Sequence, residues 1–277
     1  MPFFRRLRRF FKKAEQATVG MLNRDAEELT GFEPLKQATQ LTLEINSWEP
    51  FEFACDAFLS ANHTDFPPVY FSIFQEPEHT LLFRADVTPD AMNIRNLEDE
   101  EEENNKLLSL QFAEEESISS SNRRRGETPV FNLVHSSGLI LFHIMQNAKA
   151  KNRFNVYDAD AEDNDPPFLR VVKGGSGGKF EQTSKQKMMQ KMGLSFSGAV
   201  SHVQDTAHVA MGDIYPKISG SGRAERTLYT IEYTDACPQD HRIKALILCI
   251  CCMFCLRIAV RPLLNVMTEH QKRQGNK

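Results

Sequence analysis

Residues 243–260, near the C-terminal end of the chain, form the apolar run that most constrains the fold. A helix over this run would be apolar on every side, so other apolar groups have to enclose it. The part without a charged residue, 245–256, gives a helix of about 18 Å, whereas the core of a bilayer is about 30 Å thick. This length favours a helix inside a β-barrel. The alternative is a single-pass membrane helix over 243–260, which would take Arg257 into the bilayer.

Upstream of this run, from about residue 39, the apolar residues occur in short runs, several of which alternate with polar residues. The runs lie at 41–45, 51–58, 69–74, 80–83, 107–112, 130–134, 139–145, 153–157, 168–172, 194–196, 208–211 and 228–233. Turn-forming residues such as Pro67, Asn93, Gly138 and Pro166 separate them. About a dozen short strands without intervening helices predict an antiparallel sheet closed into a barrel or packed as a sandwich, because parallel strands would need crossover helices.

Two polar stretches interrupt this pattern, near residues 94–106 and 113–127. The first contains the unbroken acidic run 98–103, and the second combines acidic residues, serines and three arginines. Neither stretch can bury enough apolar surface to offset the entropy of ordering it. We therefore expect two mobile insertions in one β-domain over residues 37–262, with a polar tail at 263–277.

The N-terminal residues combine aromatic and basic side chains at helical spacing, and no acidic residue precedes Glu15. A basic amphipathic helix of this kind gains roughly 1 kcal/mol for each basic residue near an anionic membrane surface. Residues 1–36 are therefore interpreted as a membrane-contacting helix and a linker. A helix docked on the protein itself, a disordered tail and a mitochondrial presequence remain alternatives. The predicted membrane-binding residues are Phe3, Phe4, Arg5, Arg6, Leu7, Arg8, Arg9, Phe10, Phe11, Lys12 and Lys13.

Motifs that would indicate catalysis or ligand binding are weak in this sequence. Residues 158–165 begin like a calcium loop, but Asp163 stands where that loop needs Gly and Leu169 where it needs a bidentate Glu. The glycine-rich residues 173–179 lack a P-loop signature because Phe180 follows Lys179. A hairpin turn and a flexible loop are the favoured interpretations. No nucleophile elbow or metal-binding spacing of histidines is present, so we predict a non-enzyme without cofactor or metal.

The six cysteines and the net charge of −4 restrict the compartment and the partners. Cysteines clustered in an apolar run do not form the spread framework of a disulfide-rich secreted domain, and no signal-peptide pattern is present. We expect a cytosol-facing protein that does not bind nucleic acid. The clustered cysteines are interpreted as small core residues, or as lipidation sites if the run is exposed at a membrane. These cysteines are Cys249, Cys251, Cys252 and Cys255.

Several of these segments resemble a known superfamily. Residues 130–142, 153–160 and 168–173 resemble paired strands, and 229–233 with 244–248 resemble the final strand and central helix, of the tubby C-terminal-like superfamily. That superfamily includes phospholipid scramblases and the plant LURP-one-related proteins. The resemblance spans roughly residues 39–260 and implies a twelve-stranded barrel around a hydrophobic helix, with phosphoinositide binding or lipid translocation as the activity.

Three differences from the superfamily affect what the resemblance implies about function. The chain lacks the Pro-rich N-terminus and the separate Cys-rich palmitoylation run of scramblases. Only Asp235 and Asp240 stand where the scramblases have a calcium segment. The basic phosphoinositide-binding pair of tubby has no assignable counterpart.

The expected function follows from the two ends of the chain. We expect a cytoplasmic protein, peripheral at a membrane surface, that binds anionic lipids of the phosphoinositide type or acts like a scramblase. The alternative is an integral single-pass membrane protein, spanning at 243–260, whose β-rich domain binds other proteins.

Overall fold

The computed structural model describes residues 29–45, 69–88, 91–97, 106–113, 126–150, 153–162, 164–173, 200–216 and 227–256. Within these ranges, twelve antiparallel strands form a closed barrel in which consecutive strands pair and the first strand pairs with the last. A 3-10 helix, η1 (Glu33–Lys36), precedes the barrel, and helix α1 (His241–Phe254) follows it. The strands are β1 Gln40–Ile45, β2 Val69–Glu76, β3 Thr80–Val87, β4 Ala91–Asn96, β5 Lys106–Phe112, β6 Glu127–His135, β7 Ile140–Asn147, β8 Arg153–Asp158, β9 Leu169–Lys173, β10 Ser201–Gln204, β11 Ala210–Pro216 and β12 Thr227–Tyr233.

The core lies between the strands and the enclosed helix. Alternate residues of each strand point to opposite faces of the sheet, and one set, such as Leu41 and Leu43 on β1, joins α1 in a single buried cluster. Gly212 on β11 is placed where the helix comes close. A Cβ there would lie 3.3 Å from the carbonyl oxygen of Glu232 and 3.5 Å from the Ile247 side chain. The mainly β fold, a closed barrel of about twelve strands around a C-terminal apolar helix, is therefore confirmed.

Helix α1 begins at a capped N-terminus and is then buried on every side. The Asp240 carboxylate accepts a hydrogen bond from the Arg242 backbone N–H at 3.0 Å and pairs with the Arg242 guanidinium at 2.6 Å. Burial opposes ionisation of Asp240, but the hydrogen bonds from Arg242 outweigh it and lower the pKa of this carboxyl. Every residue from Ile243 to Met253 is buried. Among the described residues, no helix is both long and apolar enough to cross a membrane.

The only charged residue buried in α1 is Lys244, which ties the helix to η1. Its side chain is 2% exposed, and Nζ donates hydrogen bonds to the carbonyl oxygens of Lys36 (2.9 Å) and Ala38 (2.7 Å). Burial lowers the pKa of Lys244. The turn before η1 adds the ring of Phe32, 5.2 Å from that of Phe83 on β3. These contacts close the barrel at the end where α1 enters, which we call the helix-entry end. Odd-numbered strands begin at this end, and even-numbered strands end there.

The structure differs from the predicted elements at several places. Strands β4 and β10 were not among the predicted runs. Residues 94–96 belong to β4, Lys106 begins β5 and Glu127 begins β6, so the predicted insertions are shorter than expected. Asn93, interpreted as a turn residue, lies within β4 and accepts a hydrogen bond from Ser109 at 2.5 Å. The predicted runs 51–58 and 194–196, the rest of both insertions and the tail 263–277 lie outside the described residues.

Candidate functional site: a basic row on the barrel surface

Only some of the residues predicted from the sequence as binding sites are described by the structure. Phe3 to Lys13, the predicted membrane-binding segment, lies outside the described residues. The possible lipidation sites Cys249, Cys251, Cys252 and Cys255 are all fully buried within the barrel. Lipidation of these cysteines depended on exposure of the run at a membrane. Their burial fits the interpretation as small core residues, and lipidation of these cysteines stays a prediction.

Burial also makes three of these thiols unreactive. It raises the pKa of Cys249, Cys251 and Cys252 well above the usual value, because a thiolate would have no water around it. Cys237, beside the helix-entry end, has its pKa raised by burial to about 11, with a smaller opposing effect of the Lys244 charge. A thiol is nucleophilic only as its thiolate. The described cysteines therefore have no features of a catalytic or redox site.

The most unusual charge arrangement among the described residues is a row of three basic residues on the outer surface. Arg84 on β3 is the direct cross-strand partner of Arg95 on β4, and Arg95 is the partner of Lys106 on β5. Neighbouring partners in such a row are about 5 Å apart, and like charges placed opposite one another destabilise a sheet. Within the row, this cost would be relieved by an anion bound over it.

One carboxylate, Asp86, holds both arginines in place. Its Oδ1 accepts from Arg84 Nε at 2.6 Å, and its Oδ2 lies 3.0 Å from Arg95 Nε. The Arg84 guanidinium also stacks on Tyr70, with Cζ 3.8 Å from the ring centroid. Arg84 nevertheless keeps 44% of its side chain exposed. Three cations against one carboxylate leave this row, which we call the basic row, with a local excess of positive charge.

Exposed apolar residues lie next to the basic row and around the same end of the barrel. Leu81 at the start of β3 and Leu97 after β4 are both exposed, as are Leu139, Ile140 and Val209 at other turns of the helix-entry end. Phe112 is the one residue of this exposed apolar set at the opposite end. In the sequence, the acidic run 98–103 lies between β4 and β5, outside the described residues. The described part of this end therefore offers apolar contacts and localised positive charge.

The described residues of the calcium-like segment after β8 form turns. No cluster of three His, Cys, Asp or Glu with metal-binding geometry occurs among the described residues. Asp158 accepts a hydrogen bond from the Asp160 backbone N–H at 3.1 Å. Burial, together with the charges of Asp160 and Asp165, raises the pKa of Asp158 from 3.8 to about 6. The segment is therefore an acidic turn with one partly buried carboxyl, which we call the acidic turn (residues 158–165).

An Asp158→Asn variant should be more stable than the wild-type chain at pH 7.5. A carboxyl whose pKa is raised on folding favours the folded state at low pH and loses that contribution as pH rises from about 4 to 6. A rise from 3.8 to about 6 corresponds to roughly 3 kcal/mol, which screening reduces to about 1–2 kcal/mol. Urea denaturation at pH 3.5 and pH 7.5 measures the difference. An equal effect at both pH values would contradict the burial of this charge.

The basic row could not be recognised in the sequence. Arg84, Arg95 and Lys106 are separated in the chain, and only the pairing register brings them side by side. Arg95 and Lys106 also fell within the stretch predicted as an insertion. The signal that was available is Arg84, which directly follows the predicted run 80–83 at a position that alternation places on the outer face.

Searches of family models, curated proteins and solved structures found no match to this chain. The class of protein is therefore defined by the fold itself, a closed twelve-stranded antiparallel barrel around a buried C-terminal helix.

Proposed function

We propose that this protein binds anionic membrane lipids, and that the basic row binds a phosphorylated headgroup of the phosphoinositide type while the N-terminal segment provides the main membrane anchor. The observation that carries the proposal is the cross-strand alignment of Arg84, Arg95 and Lys106, in which one carboxylate, Asp86, contacts both arginines. Phosphate oxygens accept hydrogen bonds from guanidinium groups in a bidentate geometry. A headgroup with several phosphates can satisfy three neighbouring cations at once.

The surroundings of the basic row favour a headgroup at a membrane. Leu81 and Leu97 are exposed beside it and would reach the interfacial region of a bilayer. The chain enters the described part of the protein at the same end, where Gly31 lies against the side chain of Leu107 on β5. The net charge of the chain is −4, so a uniformly anionic surface gains little attraction from the protein as a whole. A compact and highly charged headgroup interacts locally with the row, which is why a phosphoinositide-type lipid is favoured.

Lipid binding is favoured over lipid translocation. The interior of the barrel is filled by the side chains of α1, which belong to the same buried cluster as the inward-facing strand residues. A lipid would therefore meet the outer surface. The strand number and the central helix agree with the fold that the tubby-like resemblance implies, and the relationship itself remains a prediction.

Replacing Arg84, Arg95 and Lys106 together with Gln should weaken binding to vesicles that contain phosphatidylinositol bisphosphate. At roughly 1 kcal/mol for each basic residue, the loss is on the order of a hundredfold at low salt. Co-sedimentation with the full-length chain measures it. The matched control replaces Lys149, Arg153 and Arg170, which lie outside the row, with Gln and changes the net charge equally. Equal weakening by both sets would mean that only overall charge matters and that the row is not a site.

A further inference from the structure

A second surface of the barrel is buried although it faces away from the core. Side chains on β6, β7 and β8 alternate between the two faces of the sheet. Phe131, Ile144 and Val156 are cross-strand partners that point inward, and the residues next to each of them along its strand point outward. Several outward residues on β5–β8 are nevertheless shielded from solvent. They are Ser109 (0% exposed), Met145 (3%), Val134 (5%), Tyr157 (7%) and Asn132 (8%).

These outward residues form one continuous patch, which we call the covered face. Asn132 pairs with His143 and His143 with Tyr157 across the strands, and Ser109 pairs with Val134. The buried apolar members Val134, Met145 and Tyr157 are not part of the barrel core cluster. Neither described helix lies over this face, because α1 is inside the barrel and η1 closes its end. The two described helices therefore do not cover it.

The covered face has polar groups suited to a basic partner. Glu127 Oε1 accepts a hydrogen bond from Asn155 at 2.5 Å, whereas its Oε2 is shielded from solvent and has no hydrogen-bond partner. The acidic turn continues directly from Tyr157 at the edge of the same face. A segment with apolar groups toward Met145 and cations toward these carboxylates would complement the face.

We infer that the covered face is the docking site of the chain's own N-terminal residues 3–14. This segment has aromatic residues on one helical face, six basic residues on the other and no acidic residue. Its connection enters the described structure at Leu29, and Gly31 contacts Leu107 on β5, the strand next to the covered face. The C-terminal residues leave from the opposite end of the barrel, where Phe254 packs near Phe154 and Tyr229.

The dimensions also fit. A helix over residues 3–14 is about 18 Å long, and the three strand spacings from β5 to β8 add to about 14 Å. The residues between 14 and 29 reach about 50 Å when extended, which is enough to bring the helix onto any part of this face. Docking and membrane contact need the same phenylalanines. The docked helix therefore competes with the membrane, a consequence that rests on the proposed function.

Photo-crosslinking of the full-length chain in the absence of membranes tests the docking. A benzoylphenylalanine at position 10 should form cross-links within one chain to peptides of β6–β8. Met145→Asp, which places a charge on the covered face but outside the core, should lower this yield at least severalfold. Thr230→Asp, on the outer surface of β12, should leave it unchanged. Cross-links to other parts of the chain, to the C-terminal residues or to a second copy would overturn the inference, provided thermal melting shows both variants folded.

Vesicle binding by the same variants separates this inference from the proposed function. If docking holds the helix in about nine of ten molecules, Met145→Asp should bind phosphatidylserine vesicles about tenfold more tightly than Thr230→Asp. Equal affinities together with the expected cross-links would overturn the competition between barrel and membrane. Cross-links to β6–β8 without vesicle binding by any variant would leave the docking standing and reject the membrane function. Vesicle binding without those cross-links would reject the docking and leave the membrane function standing.

Discussion

A Leu246→Asp variant should fail to fold. Leu246 is 2% exposed and lies in the part of α1 that the barrel encloses on every side. A carboxylate there has no cation and no water, and an unpaired buried charge costs several kcal/mol. The whole domain is stabilised by only about 5–15 kcal/mol. Far-ultraviolet circular dichroism and urea denaturation of the purified chain should show loss of the cooperative transition.

The same substitution at an exposed leucine is the matched control. Leu139 lies in the turn between β6 and β7 and is 41% exposed, so Leu139→Asp should change the free energy of unfolding by less than about 0.5 kcal/mol. A soluble Leu246→Asp protein that unfolds cooperatively would contradict the enclosure of α1. Unfolding of both variants would instead indicate that the helix-entry end cannot accept an added acidic residue.

The sequence contained enough information to predict the architecture because two of its patterns admit few solutions. A helix of about 18 Å that is apolar all round needs an enclosure, and a series of short antiparallel strands can provide one by closing into a barrel. One residue of the predicted helix, the charged Lys244, does not belong to the apolar pattern. Its partners are the main-chain carbonyls of Lys36 in η1 and of Ala38 just after η1. No side-chain pattern identifies such an acceptor.

The missed strands show where local patterns are insufficient. Strand β10 has four residues with a single large apolar side chain, Val203, and β4 contains Asn93, Arg95 and Asn96. Isolated segments of this composition have no preference for a strand. They are held by hydrogen bonds to neighbours on both sides, such as β3 and β5 around β4. Tertiary pairing therefore overrides local propensity, and strand preference depends strongly on such context.

The basic row and the covered face could not be predicted from the sequence for a related reason. Both are defined by which residues stand opposite one another, and a shift of one residue would move every side chain to the other face. The sequence shows Arg84, Arg95 and Lys106 as separate surface charges. It shows Met145 and Tyr157 only as apolar residues of predicted strands, without indicating on which side of the barrel they are buried.

The largest effect on function is expected from the N-terminal segment, which lies outside the described residues. Six basic residues at roughly 1 kcal/mol each attract an anionic surface, and this attraction is screened within about 8–10 Å at physiological salt. The phenylalanines add an apolar contribution that salt does not screen. Binding of the full-length chain to anionic vesicles should therefore weaken markedly as salt rises without vanishing.

Two sets of substitutions separate these contributions. Replacing Arg5, Arg6, Arg8 and Arg9 with Gln should remove most of the salt-sensitive binding, a loss of about 4 kcal/mol at low salt. Replacing Phe3, Phe4, Phe10 and Phe11 with Ser should remove the part that persists at high salt. Because the barrel core is made by other residues, both variants should keep the cooperative unfolding transition. Equal binding of the unmodified chain to neutral and anionic vesicles, or no binding to either, would show that this segment is not a membrane anchor.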